Sequence, residues 1–309
     1  MDSGAPRCAI GVDVGGTKIE AIVLDQAGHE LWRERIASPR GDYDESLRAI
    51  AALVGRAKQA AQGAPCTIGI GAPGTPNARG VMKNCNSTQL NDRPLPADLE
   101  ALLGQPVRVA NDANCLALSE ATDGAGAGAP VVFAAILGTG IGGGIVAHGR
   151  IHAGPNGLAG EWGHNPLPWA QRHELRHLCF CGQHGCVETT LSGPWLARDH
   201  AEMHGQPLST HDIVERAARG DAACDDTLTR WESRLARALA HVINMLDPDV
   251  IVLGGGLSRI ERLYRNVPAL LPRWVAAGGV RNEPVETKLV QSVHGDSSGV
   301  RGAAWLWRE

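Results

Sequence analysis

The sequence predicts an α/β protein built from two lobes, and three observations support this prediction. The chain has 309 residues, which exceeds the usual size of a single hydrophobic core. Apolar residues make up 43% of the chain, enough to fill a substantial core. Two apolar hairpins each enclose a glycine turn, and segments with helical spacing alternate with further apolar strands.

The first lobe is predicted to open on a β-hairpin, Cys8–Val14 and Ile19–Leu24, whose tight turn is Gly15-Gly16. The elements that follow have helix or strand spacing. In chain order they are a strand at 31–37, a helix at 46–62, a strand at 66–70 with a glycine loop at 71–74, and a strand at 107–110 leading into a helix that ends at 121.

The second lobe repeats this opening after a Gly-Ala repeat at 124–129. Strand 131–137, a glycine turn and strand 144–148 come first; a long helix, 221–245, and a strand ending in Gly254-Gly255-Gly256 follow. We therefore predict lobes at 1–123 and 124–296, the first joined by a C-terminal helix at about 297–309. The duplicated opening predicts an actin-like (ribonuclease H-like) ATPase fold with its active site in the cleft between the lobes.

Charge and composition exclude several classes of protein. The 29 basic and 33 acidic residues give a net charge of −4 without a basic run, which argues against a dedicated nucleic-acid binder. Residues 1–7 are short and polar and lead straight into a strand, so we expect no signal peptide. Glycines interrupt the uncharged stretch at 124–149, so we expect no membrane span and a cytoplasmic location.

The glycine turns predict a nucleotide site. In Asp13-Val14-Gly15-Gly16-Thr17-Lys18, main-chain amides, a hydroxyl and an ammonium surround one tight turn, and the carboxylate suits Mg²⁺. One such turn is equally consistent with an ordinary hairpin; three in one chain favour phosphate binding. The predicted nucleotide residues are Asp13, Gly15, Gly16, Thr17, Lys18, Gly138, Thr139, Gly140, Gly254, Gly255 and Gly256.

Asp112 stands between a strand and a helix, within Asn111-Asp112-Ala113-Asn114. A helix N-cap is one interpretation of an aspartate at this position. A general base is the other, because phosphoryl transfer to a sugar hydroxyl needs a carboxylate to accept the proton. Asn111 offers a donor and an acceptor to sugar hydroxyls.

The eight cysteines predict one metal cluster rather than a disulfide framework. Cys179, Cys181 and Cys186 supply three thiolates, and tetrahedral zinc needs four ligands, so the closed site is expected to be structural. His164 and His184 are the nearest candidates for the fourth ligand; His173 and His177 are also within reach. The scattered cysteines, expected to be reduced thiols, are Cys8, Cys66, Cys85, Cys115 and Cys224.

Taken together, these motifs resemble the ROK family (repressors, open reading frames and kinases), in the same order and over nearly the whole chain. The matching segments are DVGGTK at 13–18, NDAN at 111–114, LGTGIGGG at 137–144, GEWGH at 160–164, CxCGxxGCxE at 179–188 and VLGGGLS at 252–258.

The resemblance implies Mg·ATP as cosubstrate, a structural zinc ion, a homodimer and the actin-like fold. It makes Asp112 the catalytic base, and it assigns the zinc to His164, Cys179, Cys181 and Cys186. The sugar-binding positions it implies are Asn111, Asp112, Glu161, His164 and Glu188, with Gly74 and Ser87 or Thr88 in the loops that complete the pocket.

Within the family, the segments at 83–91, 160–169 and 294–307 are similar to bacterial fructokinases. The function this implies is ATP-dependent phosphorylation of a hexose, D-fructose to fructose 6-phosphate being favoured. An N-acetylglucosamine kinase or a broad glucokinase or mannokinase is the alternative. A sugar-responsive repressor of the same family is a third class, disfavoured because only twelve residues precede Asp13, too few for a helix-turn-helix.

Overall fold

The computed structural model describes residues 8–39, 41–276 and 284–308. Two predictions involve residues outside these ranges: the absence of a signal peptide at 1–7, and the last residue, 309, of the predicted C-terminal helix. Contacts between residues divide the chain into two compact units. Unit 1 contains the described residues up to 128, then 144–159 and those from 293 onward; unit 2 contains 129–143 and 160–292. The lobe boundary near residue 123 stays a prediction, and the compact units differ from it because 144–159 groups with unit 1.

A five-stranded mixed sheet forms the centre of unit 1. Its strands are β1 (Cys8–Val14), β2 (Lys18–Asp25), β3 (Glu30–Ala37), β4 (Cys66–Ala72) and β7 (Val107–Asn111). Two short strands, β5 (Thr75–Pro76) and β6 (Met82–Lys83), pair separately with each other. The strand order is β3-β2-β1-β4-β7. β1, β2 and β3 pair antiparallel, as the predicted hairpin requires, and β4 pairs parallel with both β1 and β7.

The second sheet contains the other predicted hairpin. Its strands are β8 (Val131–Leu137), β9 (Ile141–Ala147), β10 (Arg150–Ile151), β11 (Val250–Gly254) and β12 (Lys288–Gln291), in the order β10-β9-β8-β11-β12. β11 is parallel to β8 and β12. β9 begins three residues before the predicted Gly144, because Gly142 and Gly143 continue the strand rather than the turn.

The helices begin where the sequence supplies a cap. Asp42 accepts a hydrogen bond from Glu45 N at 2.8 Å, so the first helix begins at Tyr43, earlier than the predicted 46. Asp221 caps the long helix of unit 2 in the same way. The helices are α1 (Tyr43–Ala60), α2 (Leu95–Leu103), α3 (Asp112–Asp123), α4 (Glu188–Leu191), α5 (Gly193–His204), α6 (Thr210–Ala218), α7 (Ala222–Leu246), α8 (Leu263–Leu270) and α9 (Ser298–Trp305). Among the described helices, none combines the length and apolar character needed to cross a membrane.

Helix α9 packs directly against the main chain of its neighbours in unit 1. A Cβ on Gly69 of β4 would lie 1.8 Å from Ala303 O, and one on Gly302 would lie 1.6 Å from Cys115 O of α3. Only glycine fits at such distances. The close packing fixes α3, and therefore its first residue Asp112, relative to the sheet.

Two of the scattered cysteines are not free. Cys8 and Cys66 form a disulfide, with their Cα atoms 4.7 Å apart. The prediction that both are reduced thiols is wrong, because the parallel register of β1 and β4 places them directly opposite each other. Cys85, Cys115 and Cys224 are free thiols, as predicted, and all three are buried.

Candidate active site and metal centre

The first glycine turn joins β1 to β2. Gly15 N donates to Lys18 O at 2.9 Å, and a Cβ on Gly15 would lie 3.0 Å from the same carbonyl oxygen. Gly16 and Thr17 are exposed. The turn therefore presents main chain with little side-chain cover, which is the geometry that accommodates phosphate oxygens.

Two aspartates lie together beside this turn. Asp13 is near the end of β1, and Asp112 is the first residue of α3. Burial, followed by the negative charges of Asp112 and Glu20, raises the pKa of Asp13 to about 7. The strand register agrees: Asp13 lies opposite Gly71 of β4, which lies opposite Ala110 of β7, two residues before Asp112.

Asp112 is exposed, and its carboxylate is oriented by the start of the helix. The N-cap of α3 is Asn111, whose Oδ1 accepts from Ala113 N at 2.9 Å. Asp112 Oδ1 accepts from the same amide at 2.8 Å. The interpretation of Asp112 as the N-cap is therefore wrong: Asn111 caps the helix, and Asp112 lies one residue inside it with its side chain exposed to solvent.

Glu20 is a charged residue of this region that the sequence reasoning missed. It is 1% exposed and lies opposite Asp13 on one side and Arg35 on the other. Its Oε2 accepts from Arg35 Nη2 at 2.8 Å, and its Oε1 accepts from Arg33 Nη1 at 3.3 Å. The sequence does contain a sign of this buried charge, because Glu20 directly precedes the apolar run Ala21–Leu24. A charged side chain in a buried strand needs hydrogen-bonding or oppositely charged partners.

The loops predicted to complete the sugar pocket also lie in unit 1. Gly74 has a φ of +92°, and a Cβ there would lie 2.4 Å from Lys83 O, so no larger residue fits. Thr88 is exposed, whereas Ser87 is buried and lies near the first glycine turn: a Cβ on Gly16 would be 3.7 Å from Ser87 Oγ. A cavity of about 430 Å³ adjoins Asn111 and is lined by 75–78 and parts of 151–157.

In unit 2 the other two glycine turns lie against each other. Gly255 has a φ of +80°, and a Cβ there would lie 2.5 Å from Leu137 O, the carbonyl just before the second turn. Gly138 N donates to Gly140 O at 3.0 Å and closes that turn. Glu188 Oε2 accepts from Ile141 N at 3.1 Å. Glu188, predicted to bind sugar, therefore also supports the predicted nucleotide turn.

The predicted metal ligands converge in unit 2. The ligand atoms of His164, Cys179, Cys181 and Cys186 all lie within 4.8 Å of one another. Cys179 Sγ is 3.6 Å from His164 Nδ1, and Cys181 Sγ is 3.6 Å from Cys186 Sγ. In a zinc tetrahedron with bonds of about 2.1–2.3 Å, ligand atoms are separated by roughly 3.5–3.8 Å. The donor set and its spacing fit a tetrahedral Zn²⁺ ion.

The folding of the cysteine loop decides which histidine faces this cluster. Cys179 N donates to Gln183 O at 2.8 Å, forming a tight turn. His184 lies outside the cluster, with Nδ1 3.1 Å from Arg176 O on the exposed side of the loop. His164, twenty residues before His184 in the chain, faces the thiols instead.

The segment that carries His164 packs against the start of β9. Trp162 Nε1 donates to Gly142 O at 2.7 Å, and a Cβ on Gly163 would lie 2.2 Å from Ile141 O. Glu161 precedes this short helical turn and is exposed. The Gly-Glu-Trp-Gly-His sequence is thus explained residue by residue: tryptophan and glycine anchor the turn, and Glu161 and His164 project from it.

The chain belongs to the ROK family, whose sequence profile it matches over residues 9–309. It is 39% identical over 307 residues to the N-acetyl-D-glucosamine kinase of Pasteurella multocida, covering 96% of this chain and 98% of that protein. The ROK hexokinase of Thermus thermophilus has a similar structure, with a TM-score of 0.84, 30% identity and 97% of both chains covered. A ROK glucokinase of Streptomyces griseus, solved with glucose and AMPPNP, gives a TM-score of 0.77 and 30% identity over 97% of this chain and 99% of that one.

These similarities confirm the predicted family and the α/β, actin-like fold class. The two solved relatives are a hexokinase and a glucokinase, and the curated relative is an N-acetylglucosamine kinase. The roles of individual residues, the homodimer and the cytoplasmic location stay predictions.

Proposed function

We propose that the protein transfers the γ-phosphoryl group of ATP to a hydroxyl group of a hexose. The observation that carries the proposal is the arrangement at one edge of the first sheet: the turn at Gly15-Gly16 follows β1, and the exposed carboxylate of Asp112 follows β7, two strands away. Phosphoryl transfer requires a phosphate-binding turn, a site for a divalent cation and a base for the attacking hydroxyl. We assign these three roles to the turn at Gly15-Gly16, to Asp13 and to Asp112, respectively.

Asp112 is the proposed general base. The hydrogen bond from Ala113 N fixes Oδ1 and so orients the carboxylate. An oriented carboxylate accepts the proton of a sugar hydroxyl as that oxygen attacks phosphorus. Asn111, which precedes Asp112 in the chain and lines a cavity, would help to hold the sugar ring.

The turn at 15–18 would receive the ATP phosphates through its main chain. Mg²⁺, when bound with ATP, neutralises charge on the phosphate oxygens, and the carboxylate of Asp13 suits a hard cation of this kind. In unit 2, the turns at 138–140 and 254–256 are the further nucleotide-binding candidates.

We also propose that His164, Cys179, Cys181 and Cys186 hold a structural Zn²⁺ ion. Four ligands complete a tetrahedron and leave no open position, so the ion would stabilise the loop rather than take part in the reaction. The loop would then fix the ring of His164, which follows Glu161 in the predicted sugar-binding segment.

N-acetylglucosamine is the first acceptor to test, because whole-length relatives that are 38–40% identical carry that name. Fructose is the second, because the segments at 83–91 and 160–169 resemble fructokinases. The sequence-based expectation of fructokinase activity has no support among the relatives described above. Glucose belongs in the same comparison because of the glucokinase relative.

A coupled assay of ADP release tests both levels of the proposal. Purified protein is incubated with Mg·ATP and, separately, N-acetylglucosamine, fructose, glucose and mannose, with Asp112→Asn as the matched inactive control. We expect sugar-dependent ADP release that the variant lacks, with the highest kcat/KM for N-acetylglucosamine. A higher kcat/KM for fructose would make fructose the preferred acceptor and leave the proposed kinase activity standing. If no sugar stimulates ADP release, the proposed kinase activity is refuted.

A further inference from the structure

Glu120 is a completely buried glutamate that neither the predicted site nor the proposed reaction uses. It lies on α3, eight residues after Asp112, so the two residues are separated by roughly 12 Å of rigid helix. A carboxylate at zero exposure is costly unless hydrogen bonds satisfy it. Its partners therefore indicate what it is for.

The side chain of Glu120 receives hydrogen bonds from two separate chain segments. Its Oε2 accepts from Ala125 N at 2.9 Å and from Val293 N at 3.1 Å. Its Oε1 accepts from His294 N at 3.2 Å and from Ser298 Oγ at 2.8 Å. Three of these four donors are main-chain amides, so the carboxylate fixes the positions of the main chain in both segments.

The two segments lie where the chain passes out of unit 1 and back into it. Ala125 is three residues before Gly128, the last residue of the first stretch of unit 1. Val293 and His294 are the first two residues of its final stretch. Glu120 thus binds the segment before the first exit from unit 1 and the segment at the final re-entry.

The surroundings of Glu120 reinforce this arrangement. Gly124 lies so close that a Cβ there would be 2.3 Å from Glu120 Oε2. One turn further along α3, Asp123 Oδ1 lies 3.0 Å from His294 Nε2 and also pairs with Arg301 of α9. The end of α3 is therefore fastened to the returning segment at two successive turns.

We propose that Glu120 is a positioning residue that fastens the segment at which the chain first leaves unit 1, and the segment at which it finally re-enters, to the helix that begins with Asp112. The kinetic consequence rests on the proposed kinase function; the structural consequence does not. Because a helix moves as a rigid element, loosening its end displaces its first residue. Glu120 keeps Asp112 in place although it touches no reacting group.

Hydrogen exchange and kinetics of Glu120→Gln test this proposal together. The amide nitrogen of glutamine would face main-chain donors, so we expect the amides of Ala125, Val293 and His294 to exchange at least tenfold faster than in the wild type. We expect kcat to fall at least tenfold and the sugar KM to rise by a smaller factor, because displacement of the start of α3 misaligns the proposed base, whereas segments other than α3 also supply sugar-binding positions.

Leu53→Ala is the control, because Leu53 is buried in the core of the same unit on α1, away from α3. Assayed well below both melting temperatures, this variant should keep kcat within threefold of the wild type. Wild-type exchange in Glu120→Gln, or an equal loss of kcat in Leu53→Ala, would overturn the proposal.

Ser298→Ala keeps the proposal testable if Glu120→Gln does not fold, since it removes one donor and leaves the carboxylate. Faster exchange at Val293 and His294 with a lower kcat is expected, and unchanged exchange counts against the proposal. A wild-type protein that phosphorylates no sugar would refute the proposed function, whereas the exchange measurements would still decide the role of Glu120.

Discussion

The two hairpins that enclose glycine turns have similar sequences and different surroundings. The turn after β1 is exposed, and the carboxylates of Asp13 and Asp112 lie beside it. The turn after β8 is held by main-chain contacts, with Glu188 bound to Ile141 N and Gly255 packed on Leu137. Thr139 and Gly140 of the second turn are exposed, as are Gly16 and Thr17 of the first. The two turns therefore differ in their neighbours rather than in their exposure: the second is supported by a carboxylate that already accepts a main-chain hydrogen bond.

The largest expected effect separates chemistry from stability. Asp112→Asn removes the proposed base and retains the size and polarity of the side chain, so kcat should fall by about 10²- to 10⁴-fold. The melting temperature should stay within about 2 °C, because the residue is exposed. Steady-state kinetics and thermal melting measure the two; a kcat near that of the wild type would show that Asp112 is not the base.

The cysteine cluster should show the opposite behaviour. Cys181→Ser removes one of four proposed zinc ligands, so we expect about one zinc ion per chain in the wild type and much less in the variant. The melting temperature should fall by several degrees. Metal analysis and melting provide the measurement, with the free thiol variant Cys224→Ser as control; zinc-free wild-type protein with full activity contradicts the metal site.

A third effect concerns the buried charges behind the cysteine loop. Glu174 is 5% exposed; its Oε1 accepts from Arg234 Nε at 2.8 Å and from Arg237 Nη2 at 2.7 Å. Glu174→Gln removes the buried counter-charge of Arg237 and one of the two carboxylate partners of Arg234, which also pairs with Asp199. The free energy of unfolding should fall by about 3 kcal/mol, measured by urea denaturation at neutral pH.

The same glutamate predicts a pH dependence. Burial alone would raise its pKa, but the hydrogen bonds from Arg237 and Arg234 outweigh burial and lower the pKa from 4.5 to about 2. A lowered carboxyl pKa stabilises the fold fully above pH about 4.5, and this contribution is lost as the pH falls toward 2. The difference in unfolding free energy between wild type and Glu174→Gln should therefore shrink between pH 5 and 2.5; a constant difference would mean that the ion pairs do not cause it.

The smallest effect provides the baseline. Glu215 and Arg219 form an exposed ion pair one helical turn apart on the surface of unit 2. Glu215→Gln should change the free energy of unfolding by less than about 0.5 kcal/mol, because water and salt screen such pairs. A loss comparable to that of Glu174→Gln would remove the distinction between buried and exposed charges in this unit.

Local sequence signals predicted the first glycine turn and the convergence of three cysteines. The pair Gly15-Gly16 between two apolar runs is typical of a hairpin, and three cysteines within eight residues predict that their sulfur atoms lie together, while the metal itself stays a prediction. Spacing alone could not choose between His164 and His184, because the turn at Cys179–Gln183 directs the nearer histidine outward. The family resemblance supplied that choice.

Other features depend on packing that no short window of sequence contains. Glu120 and Glu174 look like ordinary surface glutamates, and only the fold surrounds them with donors. Cys8 and Cys66 are separated by 58 positions and meet through the register of two parallel strands. Contacts between residues far apart in the sequence therefore decide the environment of these side chains.

The division of unit 1 into separate stretches of chain affects how the protein is made. Helix α9 packs its main chain against β4 and α3 at Gly69 and Gly302, so the core of unit 1 is incomplete without it. Unit 2 ends at Ser292. Domains usually fold in the order in which the ribosome releases them. Here unit 2 is synthesised completely before unit 1, although unit 1 begins first in the chain. The apolar sheet of unit 1 must therefore stay protected until residues 298–305 have been synthesised.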